Sequence, residues 1–123
     1  MDKTFNGLCI VNLNDFDSNF GHMRNVEGYA KSIEELDVEI PLILHKLNNG
    51  DLLMITADHG NDPTMPGIDH TRENVPVLIY SRDFLEPKKI DILESMADIG
   101  ATIAENFEVE KPTIGTSFLY KLK

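Results

Sequence analysis

An α/β fold, with a layered sheet flanked by helices, is the architecture that this sequence of 123 residues predicts. Short continuous apolar runs at Leu8–Val11 and Leu52–Ile55 read as strands buried on both faces, as in a parallel sheet covered by helices. Between them, Val26, Tyr29, Ala30, Ile33, Leu36, Ile40, Ile43, Leu44 and Leu47 step by three or four, the mark of a helix with one buried face. The resulting order is strand, helix, strand, strand, helix.

Each element follows from local chemistry. Residues 12–25 are polar, carry Gly21 and read as a loop. In the long helix, Pro41 lacks an N–H and crowds the preceding turn, so a kink or break is expected there. Asn48-Asn49-Gly50 is a stop signal. The second strand run is followed by a loop over residues 58–74 rich in glycine and proline, a length that in compact domains usually marks function. Val75–Tyr80 reads as a third strand, with Pro76 near its start or on an edge. Ser95 begins a second helix, with Asp98 three residues on in a capping-box-like arrangement. Met96, Ile99, Ile103 and Phe107 form its expected buried face, and Ser117–Tyr120 a last short strand. No internal repeat, low-complexity segment or linker interrupts the chain, so residues 1–123 read as one domain's worth of sequence. A sheet of three or four strands is thin for this class and needs neighbours along its edges, a hint that these residues are part of something larger.

The composition narrows the partners. A net charge of −10, from 11 basic and 21 acidic residues, argues against nucleic acid or an anionic membrane. The acidic residues are spread along the chain, as a solubilising surface requires. No apolar run approaches the ~18 residues needed to span a bilayer. Met1–Phe5 lacks the basic start and apolar stretch of a signal peptide. Cys9 is the only cysteine, so no intrachain disulfide forms, and a cytoplasmic setting fits.

The candidate chemistry lies in loops that follow strands, where open α/β sheets bind ligands. Asp15, Asp17 and His22 follow the first strand, Asp58 and His59 the second, and Asp62, Asp69 and His70 lie on the loop before the third. Carboxylate and imidazole together suit Mn²⁺ or Zn²⁺ better than Mg²⁺ or Ca²⁺. Converging, such groups are expensive to desolvate unless a cation holds them. Taken singly, each has an ordinary reading. Asp17 suits an Asx-turn, Asp58 and His59 a capped turn, His22 and His45 solvated positions, and Arg72 an ion pair. The combination carries the metal hypothesis, because three of four histidines fall on these loops.

The string Ile55–Ile79, with its Ala-Asp-His-Gly-Asn core and its Asp-Pro-Thr-Met-Pro-Gly-Ile-Asp-His-Thr-Arg-Glu continuation, resembles the phosphopentomutases, members of the alkaline phosphatase superfamily. Asn14–His22, Gly28–Ala30, Ala97–Gly100 and Gly115–Leu119 resemble the same family in the same order. The resemblance implies the C-terminal part of an alkaline-phosphatase-like core, with the cap domain absent from these residues. It implies Asp17, His22 and His70 as ligands of one ion, and Asp58 and His59 as ligands of another, both usually Mn²⁺. It further implies phosphate transfer between C1 and C5 of ribose or deoxyribose, on a phosphothreonine and with a further metal-ligating aspartate that lie outside these residues. By that comparison the isolated chain is expected to be inactive and to self-associate through an exposed sheet edge. The Ala-Asp-His-Gly-Asn core is shared with cofactor-independent phosphoglycerate mutases, which leaves that activity as one alternative. A non-catalytic metal-binding or interaction module is another.

Overall fold

The longest element of the computed structural model is the helix α1, Val26–Lys46. The structure describes residues 6–122, and Met1–Phe5, the segment without a signal-peptide start, lies outside them. Asn25 caps α1 by accepting the Gly28 N–H at 2.9 Å, satisfying one of the donors that a helix start leaves free. The helix runs unbroken through Pro41, so the break that proline could have imposed does not occur. Proline's φ is already helical. Pro41 and Asp37, whose carbonyl loses its donor, are both exposed, a position where solvent can offset the missing bond.

The chain forms two compact units, Met1–Ser81 and Arg82–Lys123. In the first, β1 (Leu53–Thr56) pairs with β2 (Val77–Tyr80) in register Leu53↔Tyr80 through Thr56↔Val77. The pairing is antiparallel, not the parallel arrangement expected. A parallel return needs a crossover element across the sheet, and residues 57–76 contain no helix to provide it. Among the described residues the sheet has two strands. Leu8–Val11 is not one of them. A strand needs a neighbour to take its ladder bonds, none pairs with this run among the described residues, and Ile10 and Val11 are 78% and 73% exposed.

The apolar face of α1 does turn toward the sheet. Ile33, Leu36, Ile40 and Leu44 line a cavity of about 290 Å³ whose other wall includes Leu53, Ile55 and Ile79. No residue of α1 is buried, whereas Leu47, just past its end, is only 5% exposed.

Residues 12–25, expected to be loop, contain a π-helical turn, Phe16–Gly21. It docks on the first turn of α1, where Phe16 and Tyr29 meet edge to face at 6.1 Å. Gly28 permits the approach, since a Cβ there would lie 2.4 Å from the Phe20 ring. This contact places the candidate ligands Asp17 and His22 at the head of α1.

In the second unit, α2 is Ala97–Asn106. Its buried face is Asp98, Ala101, Thr102 and Ala104, while Met96 and Phe107, expected inside, are 47% and 39% exposed. The reason is a polar network that draws the other face inward. Thr102 Oγ1 donates to the Asp98 carbonyl and accepts the Phe118 N–H at 3.0 Å, and the Asp98 carboxylate takes the Thr116 N–H at 2.7 Å. That network also holds the C-terminal segment as a 3₁₀ turn, Leu119–Leu122, in place of the expected strand.

Candidate metal centre

The site lies within the first unit and is assembled from the π-helical turn and the loop that leaves β1. One ligand atom from each of Asp17, His59 and His70 lies within 4.8 Å of the others. Asp17 Oδ1 is 3.3 Å from His70 Nε2, and Asp17 Oδ2 is 3.3 Å from His22 Nε2. The Nε2 atoms of His22 and His70 are 3.1 Å apart, and the His59 and His70 rings stack with centroids 3.7 Å apart.

Hydrogen bonds at the far sides of the rings decide what these nitrogens offer. His22 Nδ1 donates to the Ile68 carbonyl and His59 Nδ1 to the Gly60 carbonyl. A carbonyl only accepts, so in the neutral rings the proton sits on Nδ1 and Nε2 presents a lone pair. Backbone anchoring of the non-ligating nitrogen is how metal-binding histidines are ordinarily oriented. Imidazole nitrogens of His59 and His70 and the Asp17 carboxylate, gathered within 4.8 Å of one another, are a donor set that fits a divalent cation of the Mn²⁺ or Zn²⁺ type.

Asp17 is prepared as an anion. Burial pushes its pKa up, but the Asn61 amide, which donates to Oδ1 at 2.7 Å, and then His22, His70 and His59 outweigh that and hold it below the usual aspartate value. Asp58 lies at the margin. Its side chain is 81% exposed, with Oδ1 3.7 Å from His59 Nε2. The other candidates have local duties. Asp15 accepts the Asn19 amide at 2.8 Å, and Asp62 caps Thr64, whose side-chain and backbone donors hold its pKa down. Asp69 and His45 are exposed.

The loop itself is pinned across its neck. Gly60 and Thr71 form an isolated antiparallel bridge, with the Thr71 N–H donating to the Gly60 carbonyl at 3.2 Å. Thr71 Oγ1 accepts the Asp62 N–H at 2.6 Å and donates to Glu73. This is why residues far apart in sequence, His59 and His70, can stack.

Two residues of the site escaped the sequence reading. Asn61, only 7% exposed, sits inside the quoted Asp-His-Gly-Asn string, and its signal was an amide beside so many carboxylates. Arg24 left no such signal. Its guanidinium donates to the carbonyls of Gly21 and Asp62 (both 3.0 Å), of Asp69 (2.6 Å) and of Gly67, and to Asn61 Oδ1 (2.6 Å).

A cluster of histidines and a carboxylate on the π-helical turn and the loop beyond a strand, in a chain of helices and sheet, is a candidate metal site in an α/β protein. The chain belongs to the Metalloenzyme superfamily, whose family model matches residues 1–111. Its relatives include the phosphopentomutases of Clostridium botulinum, Clostridium beijerinckii and Clostridium tetani. Each is 56% identical over 124 aligned residues, covering 99% of this chain and 31% of the relative. The chain thus spans about a third of the length of the curated relatives it matches.

Proposed function

We propose that these residues form the metal-holding C-terminal portion of a phosphopentomutase-type core, within an enzyme that interconverts the 1- and 5-phosphates of ribose or deoxyribose. The observation that carries the reading is the Asp17, His59 and His70 cluster, in a chain 56% identical to proteins named phosphopentomutase. The ions proposed are Mn²⁺, one held by Asp17, His22 and His70 and the other by Asp58 and His59. The phosphoacceptor threonine and the remaining aspartate ligand would come from residues outside this sequence.

The contribution of this chain is electrostatic and positional. Asp17 supplies a fixed negative charge, set by Asn61. His22 and His59 present Nε2 in a direction set by the Ile68 and Gly60 carbonyls. Bound ions would supply the positive charge that offsets the phosphoryl oxygens during transfer. That compensation also answers the acidity of the chain, since a net charge of −10 would otherwise repel a phosphorylated sugar. A cytoplasmic setting accords with the exposed lone thiol of Cys9.

The test is calorimetric titration of Mn²⁺ into the wild-type chain and Asp17→Ala. Binding by the first and its loss in the second are expected, and identical isotherms would count against a site built on Asp17. The activity arm uses a polypeptide of the relatives' length that carries these residues. It should convert ribose 1-phosphate, and conversion of 3-phosphoglycerate instead would move the assignment to the phosphoglycerate mutases. The 123 residues alone should show no turnover with Mn²⁺ and a bisphosphate primer.

A further inference from the structure

We propose that Arg24 is a positioning residue of the metal centre, acting through Asn61 on Asp17 and through the Gly67 and Asp69 carbonyls on the loop that carries His70. The inference rests on the metal reading above and adds the device that sets the ligand spacing.

Arg24 follows His22 by two residues, yet its guanidinium crosses to residues 61–69. Guanidinium only donates. The Asn61 oxygen must therefore face Arg24, and the Asn61 amide nitrogen must face Asp17. That polarity decides that Asp17 Oδ1 accepts a hydrogen bond, as the ionised ligand needs. Arg24 thus selects the orientation of Asn61, and Asn61 orients Asp17. On its other side the same guanidinium ties down the carbonyls of Gly67 and Asp69, which flank Ile68, the anchor of His22, and precede His70. One planar fork therefore references ligands from the π-helical turn and from the loop to a common point.

The backbone of Arg24 supports the same reading. Its φ is +51°, in the left-handed region that residues with a Cβ rarely adopt. Such conformations persist where the surrounding contacts over-determine them, and they cluster at functional sites. Here the five acceptors around the guanidinium supply that over-determination.

The left-handed φ also yields a clean variant. Arg24→Gly removes the fork and leaves a residue that accepts the backbone without strain. Arg24→Lys keeps the charge but cannot serve Asn61 and the loop carbonyls at once. Asn61→Leu breaks the relay to Asp17 while leaving Arg24 in place. Each variant and the wild type are titrated with Mn²⁺ below the melting midpoint of the metal-free protein, and the electron paramagnetic resonance spectrum of bound Mn²⁺ is recorded.

Affinity should fall by about 10–100-fold in Arg24→Gly, with little recovery in Arg24→Lys, the scale on which residues behind the ligands act. The spectrum should change along with it. Wild-type affinity and spectrum in folded Arg24→Gly would overturn the proposal and reduce Arg24 to a structural strap. If Arg24→Gly does not fold, Asn61→Leu decides in the same way, with wild-type behaviour overturning the relay. Absence of Mn²⁺ uptake by the wild type would overturn the metal reading itself, and the positioning role with it.

Discussion

Asn61 and Gly60 show how narrow the tolerances are at the scale of single residues. Asn61 is buried between a cation and an anion, and of its two amide orientations only one gives each neighbour what it needs. Aspartate there would set a second carboxylate against Asp17, and leucine would leave Asp17 Oδ1 without its donor. Gly60 is constrained by space. A Cβ would lie 2.9 Å from the Glu73 nitrogen and 3.0 Å from the Thr71 carbonyl oxygen, both backbone atoms that cannot rotate away. Gly60→Ala should therefore lower stability by about 1–3 kcal/mol, read as a lower denaturant midpoint. It should also loosen the Gly60–Thr71 bridge, seen as faster exchange of the Thr71 amide hydrogen.

Among the elements, α2 carries a pH dependence whose sign is fixed by its start. Asp98 accepts the Thr116 N–H first and, across the helix start, the Ser95 and Glu94 N–H groups. These bonds outweigh the upward push of burial and hold its pKa below the usual 3.8. A lowered folded value means that ionised Asp98 stabilises fully above that usual value. The stabilisation disappears as the pH falls from there through the folded value. Melting midpoints of wild type and Asp98→Asn should thus differ most near neutral pH and converge in acid. A gap that widens in acid would contradict the assignment. Thr102 is fully buried with two hydrogen bonds, so Thr102→Val should destabilise by about 1–3 kcal/mol by orphaning the Phe118 N–H. A thermal melt that leaves Thr102→Val unchanged would show that the Phe118 N–H finds another acceptor.

For the whole molecule, the contrast is between a densely hydrogen-bonded site and much uncovered apolar surface. Ile10, Val11, Val38 and Leu42 are each more than 60% exposed, and among the described residues both strands of the sheet are edge strands. Exposed edges and apolar faces are where chains associate. Sedimentation velocity should show concentration-dependent larger species. Added salt should favour them by screening the net charge of −10. A strictly monomeric boundary at all concentrations would contradict this expectation. No helix among the described residues is long and apolar enough to cross a membrane.

The sequence by itself determined the helix α1, the strand run at β1 and the loop that follows it, and it set acidic and histidine residues on the candidate loops, among which the family resemblance singled out Asp17, His22, Asp58, His59 and His70 as candidate ligands. Periodicity, turn chemistry and metal-binding residue types are local properties, legible before any partner is known. The partners of each element were not local. Leu8–Val11 looks like a buried strand but becomes one only if another strand pairs with it. The direction of the sheet depended on a crossover that the chain between β1 and β2 does not contain. Pro41 did not break α1, and it stands at an exposed position where solvent can offset the lost hydrogen bond. At the site, residue types predicted a cation-binding cluster. Only the tertiary structure decided that His59 stacks on His70, that Asp58 stays largely in solvent, and that Arg24 and Asn61 stand behind Asp17. The physical reason is the same in each case: a hydrogen bond or a packed face needs two sides, and the second side lies far along the chain.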